Sequence, residues 1–77
     1  MIRPKQLAAA RVLIGWSQVK LANAAGVGLS TVADFERGAR TPYENNLAAI
    51  QRALEVAGIE FLNGDEPGVK LRKRSSP

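Results

Sequence analysis

Apolar residues recur at helical spacing along the first 58 positions of the chain, and the spacing changes after that. Leu7, Ala10 and Ile14, with Arg11 beside them, define a first helix that Arg3-Pro4 opens, because proline suits the first helical turn, and that Gly15 ends. Ser17 is placed to cap a second helix with Leu21, Ala22 and Ala25 inward and Gly26 closing it. Val27 leads into a third, capped near Gly28 or Leu29, with Val32 and Phe35 on the buried side and Gly38 stopping it. Thr41-Pro42-Tyr43-Glu44 carries the pattern of a fourth start, with Thr41 as cap, proline at the first position and glutamate at the third. The stripe Leu47, Ile50, Leu54 and Ala57 then runs to Gly58.

Beyond Gly58 the residues Ile59-Glu60-Phe61-Leu62 and Val69-Lys70-Leu71-Arg72 read as two strands around the turn-rich stretch 63–68. A fifth short helix over 59–62 is the competing reading. The expected fold class is mainly α: four short helices containing a helix-turn-helix, followed by a C-terminal β-hairpin. Residues 1–58 form the helical domain. Residues 59–72 form the hairpin, packed on that domain or at a dimer interface, and residues 73–77 form a flexible tail.

Seventy-seven residues suffice for one core, and 45% apolar with 23% charged residues is an ordinary globular balance. The absence of cysteine and histidine excludes disulfides, zinc fingers, Cys or His nucleophiles and histidine proton shuttles. No metal and no cofactor is expected, and an enzyme is not. The uncharged stretch Leu21 to Ala33 is too short for a bilayer, and Arg11 interrupts any signal-like apolar run, so a cytoplasmic location without a membrane partner is expected.

The net charge of +4 is unevenly distributed. Residues 1–41 carry Arg3, Lys5, Arg11, Lys20, Arg37 and Arg40 against Asp34 and Glu36. Residues 42–66 carry only Arg52 against Glu44, Glu55, Glu60, Asp65 and Glu66, and Lys70, Arg72, Lys73 and Arg74 follow. This segregation favours a polyanion on the N-terminal part, with plain solvated faces as the alternative.

The stretch Gly15 to Gly38, GWSQVKLANAAGVGLSTVADFERG, sets two short helices around a tight turn at Gly26. Ala22 and Ala25 let the helices cross closely, and Val32 and Phe35 fasten the second to the core, leaving its outer face free. The order and spacing of Ser17-Gln18, Leu21-Ala22, Ala25-Gly26-Val27, Ser30-Thr31-Val32 and Phe35-Glu36-Arg37-Gly38 resemble those of the phage repressor and Cro-type helix-turn-helix family (XRE-like regulators). The resemblance covers roughly residues 5–57.

That resemblance implies a bacterial or phage transcription regulator of repressor type, bound as a homodimer to a palindromic site on double-stranded DNA, with the helix around residues 28–37 in the major groove. It places Leu29, Ser30, Ala33 and Asp34 at base edges. It places Ser17, Gln18, Gly28, Thr31, Arg37, Arg40 and Thr41 at phosphates. Arg11 and Glu36 match positions that form an ion pair in some members, two independent surface charges being the alternative.

The reading face lacks glutamine and arginine, offering Leu29 for a thymine methyl, Ser30 for either base and Asp34 as an acceptor for cytosine N4. Lys20 stands where a capping box wants glutamate, and Gly28 where a hydroxyl cap is usual.

Other patterns carry less. Ser17-Gln18-Val19-Lys20 spells S-x-x-K without its partner motifs, and Gly26 to Thr31 resembles a phosphate loop but follows a helix and lacks a P-loop lysine. Trp16 is expected in the core rather than as a stacking platform. The rival functional reading is an antitoxin-like or adaptor module whose main surface binds a protein. The hairpin feeds it, because its apolar residues Ile59, Phe61, Val69 and Leu71 need cover.

Overall fold

The computed structural model describes residues 2–64 and 67–72. Four helices, α1 (Pro4–Leu13), α2 (Gln18–Ala25), α3 (Leu29–Glu36) and α4 (Glu44–Val56), precede strands β1 (Ile59–Leu62) and β2 (Gly68–Leu71). The strands pair antiparallel with Ile59 opposite Leu71 and Leu62 opposite Gly68, so the competing helix over 59–62 is absent. The expected tail at 73–77 lies outside the described residues.

One core unites all four helices and the hairpin. Leu7 and Ala10 of α1, Leu21 and Ala22 of α2, Val32 and Phe35 of α3, and Leu47, Ile50 and Leu54 of α4 are buried together with Ile2 and Ile59. Ile59 is fully covered, and Phe61 and Val69 pack against the same cluster, so the hairpin covers the helices of its own chain. A two-stranded hairpin is marginal alone, and this apolar face supplies what its ladder lacks.

Gln6 anchors the hairpin to α1. Its Oε1 accepts from the Arg3 backbone N–H at 2.8 Å, which satisfies one free donor at the start of the helix. Its Nε2 donates to the carbonyls of Leu62 at 3.1 Å and Gly68 at 3.0 Å, the last pair of the ladder before the loop. Among the described residues Gln6 is the one buried polar residue, 5% exposed, and both ends of its amide are engaged.

The start of α4 corrects the sequence expectation. Tyr43, with ψ of 153°, is extended and is the residue preceding the helix, so Thr41 does not cap it and Pro42 lies in the loop. The loop is drawn instead onto α3, where the backbone N–H groups of Ala39 and Arg40 both donate to the Asp34 carbonyl. Glu44 still sits in the first turn, where the helix dipole favours an acid.

Candidate nucleic-acid interface

Ser17 begins the motif as a true N-cap, its Oγ accepting from the Lys20 backbone N–H at 3.0 Å. Lys20 cannot return a side-chain acceptor. Its ammonium instead lies 5.6 Å from the centre of the Trp16 ring, which is half-buried against the core. At the other end of α2, Gly26 adopts φ +71°, a conformation that costs an L side chain about 1–2 kcal/mol. That turn lets the Val27 N–H reach back to the Ala22 carbonyl at 3.0 Å and redirects the chain into α3.

Gly28 precedes α3 and offers no side-chain cap, although a Cβ there would meet only the hydroxyls of Ser30 and Thr31 at 3.9 Å. Val32 and Phe35 hold α3 to the core. On the opposite side, Leu29 and Ser30 are exposed while Ala33 and Asp34 are half-exposed. At about 100° per residue these four positions share one outward arc of roughly 140°.

The expected site residues fall into two neighbouring groups. Ser30, Thr31 and Asp34 of α3 face Arg40 and Thr41 of the following loop across a cleft of about 320 Å³. Pro42, Tyr43 and Asn46 complete its wall. Tyr43, 84% exposed, and Asn46 were not singled out in the sequence, because the Thr41-Pro42-Tyr43-Glu44 pattern read as a helix start and nothing more. Ser17 and Gly28 stand at the starts of α2 and α3, outside this cleft.

Behind α3 lies a charged network. Arg11 Nε donates to Glu36 Oε2 at 2.7 Å and Arg11 Nη2 to Glu36 Oε1 at 3.0 Å, a two-pronged pair joining α1 to the end of α3. Arg11 Nη1 donates to the Trp16 carbonyl, and Gln18 Nε2 to Glu36 Oε1 at 3.1 Å. The side chains of Arg11 and Glu36 are only 18% and 8% exposed. The hydrogen bond to Glu36 raises the Arg11 pKa above its ordinary value, against the opposing effect of burial. Gln18, expected at a phosphate, has one amide N–H turned toward Glu36, leaving its second N–H for other partners.

A second ion pair lies on the outward face itself. Arg37 Nη2 donates to Asp34 Oδ1 at 2.6 Å, so the acid that would oppose a phosphate has a counter-charge at the C-cap of its own helix. Among the described residues no helix is long and apolar enough to cross a membrane, and no group of three or more acidic, His or Cys side chains is gathered that could hold a metal ion.

The sequence model of a helix-turn-helix family matches residues 7–61, from the first turn of α1 into β1. No curated protein matches the chain. The match takes in Arg11, the whole motif from Ser17 to Gly38, and the loop carrying Arg40 and Thr41. The chain therefore belongs to the Cro/C1-type helix-turn-helix family of DNA-binding regulators.

Proposed function

We propose that this protein is a sequence-specific transcription regulator that lays α3 in the major groove and binds a palindromic operator as a two-fold homodimer. The observation that carries this reading is the two-sidedness of α3: Val32 and Phe35 fix it to the core, while Leu29, Ser30, Ala33 and Asp34 face outward beside Arg40 and Thr41. In this arrangement Leu29 and Ala33 offer apolar contact to a thymine methyl and Ser30 a hydroxyl to either base. Ser17, Gln18, Gly28, Thr31, Arg40 and Thr41 border the same helix and supply phosphate contacts that set its register. Action on DNA places the protein at the nucleoid, in the cytoplasm of a bacterium or in a phage-infected cell.

A dimer follows from the chemistry of reading, because one helix covers too few base pairs and two helices about 34–36 Å apart read successive major grooves. The hairpin is our candidate for part of the contact. Its inner face is used on its own chain, but Leu62 and Leu71 remain 39% and 50% exposed and a two-stranded sheet keeps two unpaired edges.

A second reading, a module whose main partner is a protein, draws on one observation. Between α2 and α4 lies an open groove floored by Ala24, Ala25, Ala49 and Ala53, with Trp16 and the exposed Val56 at its sides. Selection from a random-sequence duplex library, together with light scattering on the eluting protein, separates the two. A twofold-symmetric enriched motif and a dimeric mass are expected. No enrichment would favour the protein-binding module.

A further inference from the structure

We propose that Arg37, held in place by Asp34, reads a guanine, and that Asp34 is a positioning residue rather than a reader of its own base. The proposal rests on the DNA-reading assignment of α3 and refines the roles of two residues on it.

The first argument is angular. At about 100° per residue, Leu29, Ala33, Arg37, Ser30 and Asp34 fall in that order across the outward arc of roughly 140°, which puts Arg37 in its middle. The second concerns direction. Side chains at a helix end lean toward its N-terminus, so Arg37, the C-cap of α3, extends back over the helix's last turn. Ala33 is too small to block it there, and Asp34 Oδ1 accepts from its Nη2 at 2.6 Å.

The third argument is chemical. Leu29 and Ala33 have no polar side-chain atoms, Ser30 has one hydroxyl, and Asp34 when ionised only accepts. Arg37, its side chain 69% exposed, is the one group on this arc that can donate two parallel hydrogen bonds to guanine O6 and N7. An arginine that served phosphates alone would gain nothing from an anion beside it. Fixing one Nη2 proton on Asp34 leaves the second Nη2 proton, paired with its neighbour on Nη1 or Nε, to donate in parallel, and restricts the swing of a long side chain, which lowers the entropy lost on reading. Exposed Arg40, across the cleft from Asp34, is left to grip the backbone.

The test is the base preference, column by column, of motifs selected by the wild type, Arg37→Met, Asp34→Ala and the double variant. All three changes lie outside the core, so α3 stays folded. Arg37→Met is expected to flatten one G·C column per half-site by about 10- to 100-fold, the discrimination carried by a bidentate contact. Asp34→Ala should weaken the same column by a smaller factor, and the double variant should match Arg37→Met there. A uniform loss of affinity with every column intact in Arg37→Met would overturn the proposal, as would a change in a different column in Asp34→Ala. A wild type that enriches no motif would overturn the DNA-reading assignment itself, a result distinct from a motif whose columns ignore Arg37.

Discussion

Arg11 and Glu36, separated by 25 positions in the chain, meet in a two-pronged ion pair that ties the last turn of α1 to the last residue of α3. The guanidinium also donates to the Trp16 carbonyl, so one side chain fixes the start of the motif and the end of its second helix together. Removing one partner leaves the other charged, largely buried and uncompensated. Arg11→Met or Glu36→Gln is expected to cost about 3–5 kcal/mol in denaturant melts, and the double variant clearly less than the sum of the two. Additive single effects would mean that the pair carries no coupling.

Gln6 should matter to stability more than an exposed polar residue does. Gln6→Ala strips the Leu62 and Gly68 carbonyls of their shared donor and frees the Arg3 N–H, and an unsatisfied buried group costs about 1–3 kcal/mol. The same melts measure it. A loss below about 0.5 kcal/mol, the range of ordinary surface changes, would show that water replaces the amide without penalty.

If the hairpin contributes to a dimer, a charge at the exposed end of its apolar face should separate the protomers without unfolding them. Leu71→Glu is the suitable change, because Leu71 is half-exposed while the hairpin's anchor, Ile59, is fully covered. Light scattering should then report a monomer whose melt matches the wild type at low concentration. An unchanged dimer would remove the hairpin from the interface.

On the proposed reading, the site divides into residues that position and residues that discriminate. Arg40→Ala is expected to weaken all duplexes by a similar factor, whereas Ser30→Ala should change the preference at one or two base positions. Competition binding with single-base variants of the selected duplex measures both. If both variants shifted preference alike, the two sides of the cleft would not differ in role.

Local features of the fold were legible because the signals are themselves local. The stripe Leu47, Ile50 and Leu54, the Ser17 cap and the Gly26 turn each sit within a few residues of what they determine. The start of α4 misled because Thr41-Pro42-Tyr43-Glu44 fits a capping box, yet the loop is held by its backbone bonds to the Asp34 carbonyl. Gln6 was invisible for the opposite reason, since its acceptors lie 56 and 62 positions away and leave no periodic trace. The Asp34 and Arg37 pair did have a signal, opposite charges three residues apart on one helix, which the assignment of separate base and phosphate roles passed over.

The central claim, that α3 and its flanking loop bind DNA and do so selectively, is tested most directly by affinity against salt for the selected duplex and a scrambled one of equal length. Each phosphate neutralised by a basic group releases counterions, so log affinity should fall linearly with log salt, with a slope near −0.9 for every phosphate contacted. The selected duplex should stay tighter than the scrambled one throughout. A flat plot, or equal affinity for the two duplexes at every salt concentration, would contradict the account.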